Sequence, residues 1–119
     1  MRTKIVAGNW KMNQDLEGTR SLLRDLVASL PRTSVSVMVA PPFVNLPEAV
    51  ALLQGVSVEV AAQNMHFADS GAYTGEISAE MLLSVGVKTV ILGIRNAAPI
   101  SGRMMSCCPK RLARPLKKG

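Results

Sequence analysis

A chain of 119 residues that is 48% hydrophobic and holds only four aromatic side chains (Trp10, Phe43, Phe67 and Tyr73) suits an α/β core built from Val, Leu and Ala. No run of about 18 apolar residues is present to span a membrane, and the N-terminus lacks the apolar stretch of a secretory signal, so a cytoplasmic protein without a membrane partner is expected. The net charge of +6 belongs to one end only: residues 1–93 carry seven Lys/Arg against eight Asp/Glu, whereas residues 94–119 carry seven Lys/Arg and no acid.

Taken in chain order, Lys4–Ala7 reads as a short strand. Gln14–Leu30 predicts a helix, with Leu16, Leu23, Leu26, Val27 and Leu30 along one face and Pro31 stopping it. Val35–Ala40 is a β-branched run closed by Pro41-Pro42, and Leu46–Gln54 can form a short helix with Pro47 in its first turn and Gly55 at its end. Val56–Ala62 predicts a third strand. Ser78 is placed to cap a short helix running through Val85, with Glu80 near its positive end, and Thr89–Leu92 predicts a fourth strand. Strand and helix alternating in this way imply right-handed crossovers and a parallel sheet. Beyond Gly93 neither periodicity continues.

The hexapeptide Gly8-Asn9-Trp10-Lys11-Met12-Asn13 follows the apolar Ile5-Val6-Ala7 directly. It puts a cation and two amides at the C-terminal end of a strand, which is where parallel α/β proteins bind ligands. Lys11 is a compact charge suited to an anionic substrate, and Asn9 is a neutral donor and acceptor beside it. Three further segments accompany it: Ala62-Gln63-Asn64 closing a strand, the loop Gly71-Ala72-Tyr73-Thr74-Gly75-Glu76, and the strand Thr89-Val90-Ile91-Leu92-Gly93. In this order and spacing, residues 1–93 closely resemble the N-terminal portion of the triosephosphate isomerase family.

The resemblance implies an α/β fold of parallel (β/α) units. Residues 1–93 would form the N-terminal half of a TIM barrel, about its first four strands, and residues 94–119 an irregular tail. A complete (β/α)8 barrel takes roughly 250 residues, so the chain can hold about half of one. The family interconverts dihydroxyacetone phosphate and glyceraldehyde 3-phosphate, in glycolysis and gluconeogenesis, by moving a proton between adjacent carbons; it uses no cofactor and no metal. By resemblance, Asn9 and Lys11 contact the triose phosphate and Lys11 is the catalytic residue retained. The family is homodimeric, which would place Gln63, Asn64, Thr74 and Gly75 at the interface, with Thr74 reaching toward the partner's active site. His66, the sole histidine, reads as a surface or interface residue.

The resemblance breaks at Gly93. Where the family continues Gly-His-Ser-Glu-Arg-Arg, this chain has Gly93-Ile94-Arg95-Asn96-Ala97-Ala98. Codons for residues 94–108 can be chosen so that one cytosine added before Ile94 changes the reading to His-Ser-Glu-Arg-Arg-Ala-Tyr-Phe-Gly-Glu-Asp-Asp-Glu-Leu-Leu. Met104-Met105 allows only ATG ATG, which supplies most of the bases of two acidic codons. Residues 94–119 therefore read as a frame-shifted continuation, which also accounts for a tail rich in Arg, Pro and Cys. Cys107 and Cys108 are adjacent, without the spacer of a zinc or redox motif, and no nucleic-acid reader motif accompanies the tail's charge. With the family's histidine replaced by Ile94, the truncated chain is expected to be inactive alone. The alternative is a non-catalytic half-barrel interaction protein that offers its basic tail to an acidic partner.

Overall fold

The computed structural model describes residues 2–93; residues 94–119, and with them the predicted irregular tail, lie outside the described residues. Four strands form one parallel sheet in the order β1 (Ile5–Asn9), β2 (Ser36–Ala40), β3 (Val58–Ala62), β4 (Thr89–Val90). Helix α1 (Leu16–Ser29) joins β1 to β2, α2 (Leu46–Leu52) joins β2 to β3, and α3 (Ala79–Ser84) joins β3 to β4. The parallel sheet is what the alternation of strand and helix in the sequence implies, and the architecture is the partial TIM barrel that the resemblance implies.

Each strand divides its side chains between two faces, because successive residues point to opposite sides. Val39 of β2, Val58, Val60 and Ala62 of β3 and Val90 of β4 pack with Leu23, Leu46, Ala49 and Leu82 of the helices in one buried cluster. The opposite face collects Ala7, Met38, Ala40, Ala61 and Ile91 with no helical residue among them. Asn9 lies two residues after Ala7 and pairs in register with Ala40, so it belongs to this helix-free face. On the same face Thr89 donates its hydroxyl to the Glu59 carboxylate.

Several boundaries differ from the predicted ones, for local reasons. Strand β1 runs through Asn9 instead of stopping at Ala7, because Gly8 and Asn9 stay in register with Val39 and Ala40. Helix α1 starts at Leu16 and not at Gln14: Gln14 has φ 75°, outside helical space, and Asp15 is the N-cap, accepting from the Gly18 N–H at 2.8 Å. Val56 is held in a turn by its N–H bond to the Leu53 carbonyl (3.1 Å), which delays β3 to Val58. Strand β4 is shorter than predicted, although the Ile91 N–H still reaches the Ala62 carbonyl at 2.8 Å. A 3-10 turn at Phe43–Asn45, not foreseen, leads into α2. Ser78 caps α3 as predicted, accepting from the Met81 N–H at 3.3 Å.

One charged contact ties the first two helices together. Arg20 Nε donates to Glu48 Oε1 at 2.7 Å, and Glu17 adds a contact one turn away at 3.5 Å. The hydrogen bond to Glu48, then its charge, pushes the Arg20 guanidinium further above its ordinary range.

The outer edge of the sheet is apolar on both sides. Ile5 and Val6 are 54% and 55% exposed although they sit on opposite faces of β1. Among the described residues β1 and β4 each pair along one side only. A strand that is apolar on both faces is the pattern of a parallel sheet covered on both sides. Leu46, by contrast, is fully buried where α2 meets the sheet. Leu46→Ala is expected to destabilise the chain by about 2–5 kcal/mol through lost burial and the cavity left behind. Urea denaturation followed by Trp10 fluorescence measures the difference.

Candidate active site

The C-terminal ends of β1, β2 and β3 meet around the loop that follows β1. Pairing of β1 with β2 continues one residue past Asn9, since the Trp10 N–H donates to the Ala40 carbonyl at 3.1 Å. The indole of Trp10 packs against the helix-side core, and the chain then turns sharply at Lys11. Lys11 has φ 54°, in the left-handed region that an L-residue with a Cβ enters at a cost of about 1–2 kcal/mol. Gln14, three residues on, has φ 75°. These are the two non-glycine residues with positive φ among those described.

Side-chain amides hold this strained loop at several points. Asn9 Oδ1 accepts the Lys11 N–H at 2.9 Å, closing a short turn, while its Nδ2 makes no bond among the described residues. Gln63, immediately after β3, uses its Nε2 to donate to the Lys11 carbonyl at 2.8 Å and to the Ala40 carbonyl at 2.7 Å. Asn13 Nδ2 donates to the Trp10 carbonyl at 2.7 Å, and Asn45 Nδ2 to the Gln14 carbonyl at 2.9 Å. The Lys11 side chain is exposed at the sheet end, and Met12 beside it is 94% exposed. Asn9 and Lys11, paired in the sequence reading, are therefore brought together by a direct bond. Gln63 joins them from 52 positions away, a contact that no local pattern announces.

The loop between β3 and α3 carries the other predicted residues. Asn64, Thr74 and Gly75 are exposed, and Gly75 takes φ 86° at the tip. The loop is tied at its base by the His66 N–H, which donates to the Ile77 carbonyl at 2.7 Å, and near its tip by the Glu76 N–H, which donates to the Tyr73 carbonyl at 3.0 Å. The His66 ring lies 4.5 Å from the Phe67 ring and 4.2 Å from that of Tyr73, centroid to centroid, with Nδ1 3.5 Å from Glu76 Oε2. It is half-buried against its own loop, with its Nε2 buried. Gly71 has φ 137°, and a Cβ there would come within 2.9 Å of the Tyr73 ring, so this turn excludes larger residues.

No group of three or more His, Cys, Asp or Glu side chains that could hold a metal occurs among the described residues. No helix among them is long and apolar enough to cross a membrane. Ile94, which stands where the family has histidine, lies outside the described residues.

Parallel (β/α) units with polar groups gathered at the C-terminal strand ends define a protein of the TIM-barrel class. The family model for triosephosphate isomerase matches residues 4–94. The triosephosphate isomerase of Flavobacterium psychrophilum is 56% identical over 94 residues, which cover 78% of this chain and 38% of that protein. That of Flavobacterium johnsoniae is 55% identical over 94 residues with the same coverage. An alignment with the enzyme of Chlorobium chlorochromatii runs over 121 positions at 38% identity and covers 100% of this chain and 48% of that protein. This chain belongs to the triosephosphate isomerase family. It spans less than half the length of these curated relatives.

Replacing Gln63 by alanine strips the donor from two carbonyls, one of them at the end of the buried β2. Gln63→Ala is expected to cost about 1–3 kcal/mol of stability. It should also raise hydrogen exchange at the Lys11 and Trp10 amides more than at Val60 in mid-sheet, a contrast that exchange followed by NMR resolves.

Proposed function

We propose that residues 1–93 are the N-terminal half of a cytoplasmic, cofactor-independent triosephosphate isomerase that acts on dihydroxyacetone phosphate and glyceraldehyde 3-phosphate in glycolysis and gluconeogenesis. The observation that carries this reading is the braced left-handed turn at Lys11, with Asn9 bonded to its amide. A lysine on a flexible loop would have to be ordered when substrate binds. One held by Asn9 and Gln63 has that ordering built into the fold. In this role Lys11 offsets the substrate phosphate and the negative charge that develops on the enediolate, and the Asn9 amide nitrogen remains as a donor beside it.

The dimer contacts follow from the same resemblance. Thr74 and Gly75 stand exposed at the tip of a loop tied by backbone bonds and aromatic packing, as a loop that enters a partner's pocket requires. Asn64 is exposed beside it. Gln63 has its amide nitrogen engaged within its own chain, so its part in an interface would be to support the loop ends that meet the partner.

Catalysis needs more than Lys11. The resemblance assigns the electrophile to a histidine where Ile94 stands, and the general base and closing loop to the part of the family beyond the matched region. A positioned general base is worth about 10²–10⁴ in rate. A lost oxyanion-type donor costs about 10²–10³, and the two losses are not additive. The 119-residue chain alone therefore does not turn over triose phosphate, and its tail is read as a frame-shifted continuation of an isomerase gene. The family model's match ending at residue 94 and the charge break at the same place support this, while the alignment with the Chlorobium chlorochromatii protein runs on through the tail.

The test is a coupled isomerase assay of the purified chain in both directions, alongside Lys11→Ala. No turnover above the uncatalysed rate is expected from either protein. Turnover by the chain that disappears in Lys11→Ala would overturn the inactivity and show that the first half of the site suffices.

A further inference from the structure

We infer that Asn45 is a positioning residue for the Lys11 loop, fixing its downstream end as Gln63 fixes its upstream end. The inference extends the reading of Lys11 as the substrate-facing cation, and it rests on how the loop's two strained residues are held. The upstream one, Lys11 at φ 54°, has its carbonyl bonded by Gln63. The downstream one, Gln14 at φ 75°, has its carbonyl bonded by Asn45 Nδ2 at 2.9 Å. Asn45 closes the 3-10 turn after β2, on an element that α1 and α2 both pack against. The four-residue span from Lys11 to Gln14 is thereby tied at each end to a different part of the sheet's C-terminal edge.

The burial of Asn45 separates this role from simple stabilisation. Its residue is 1% exposed, and its Oδ1 is buried with no hydrogen-bond partner among the described residues. A buried acceptor left unpaired is unfavourable, and an apolar side chain of the same size would remove that cost. Asparagine at this position therefore gives up stability at one end of its amide while the other end restrains Gln14. Such local disagreement between stability and residue choice is expected at functional positions. Asp15, next after Gln14, caps α1, so the restraint also sets where the helix begins and how far the loop can drift from the sheet.

The experiment uses the whole 119-residue chain, isotopically labelled, and NMR. In the wild type, the Asn45 side-chain amide protons are expected to exchange with water at least about tenfold more slowly than those of exposed Asn64, as for a buried donor in a formed bond. Asn45→Leu should leave the denaturation midpoint unchanged or raised, yet shift the Cα and Cβ resonances of Gln14 and Lys11 away from left-handed values. Asn45→Asp, which keeps the shape but turns a donor toward the Gln14 carbonyl into an acceptor, should give the same loss. A purely structural role would lower the midpoint while the folded fraction kept left-handed shifts at both residues, and that result overturns the inference. Should neither variant fold, exchange in the wild type decides, and fast exchange of the Asn45 amide overturns it. Titration of the wild type with inorganic phosphate is the separate arm: absence of any response at Lys11 would count against the anion-binding reading and leave the Asn45 result standing.

Discussion

One side-chain amide holds together the loop after β1 and the strand ends around it. The nitrogen of Gln63 has two protons and gives them to two carbonyls, that of Lys11 in the loop after β1 and that of Ala40 at the end of β2. Ala40 also receives the Trp10 N–H, so the ends of β1, β2 and β3 converge on this one group of bonds. A parallel sheet gives evenly spaced backbone bonds along its length but nothing to organise the chain once the strands end. Without Gln63 the Lys11 carbonyl would lose its bond to the sheet, and the turn itself would keep only the local bonds of Asn9 and Asn13, with Asn45 holding its far end at Gln14. With it, the strain at Lys11 is offset by bonds from another strand, and the ammonium is presented from a fixed base.

The rest of the sheet is built for neighbours on both sides. One face is closed by α1, α2 and α3 through fully buried leucines. The other collects Ala7, Met38, Ala40, Ala61 and Ile91 with no helical residue among them, and it is on this face that a TIM barrel packs layers of side chains from facing strands. At the β1 edge, Ile5 and Val6 expose apolar surface on both faces. A closed barrel has no edge, and an open parallel edge of this kind is a template for association. In the TIM-barrel class such edges are where further strands pair.

Much of this was legible in the sequence because the governing rules are local. The alternation of apolar runs gave four strands, Ser78 announced its helix through a cap, and Pro47 marked the first turn of α2. The motif around Lys11 could be placed at a strand end before any geometry was known. What stayed hidden depends on distant partners or on backbone angles that residue type does not reveal. Lys11 and Gln14 are not residues that advertise positive φ, so the two left-handed turns, and with them the shift of the α1 start to Leu16, left no signal. Gln63 reads as the end of a strand, and only the folded chain shows that it serves a loop 52 positions earlier. Asn45 lies in a stretch that reads as a connection between Pro42 and a helix, with its bond to Gln14 formed across the fold. His66 reads as a surface or interface residue, and its contacts with the rings of Phe67 and Tyr73 are formed only in the folded loop.

The proposal that this chain is an isomerase half interrupted after Gly93 is tested most directly by inserting a single cytosine between the codons of Gly93 and Ile94 and assaying the expressed product for isomerase turnover. The account predicts a product much longer than 119 residues that begins its new segment with His-Ser-Glu-Arg-Arg and interconverts the two triose phosphates. A reading frame that closes within a few codons, or a long and folded product without turnover, would contradict it.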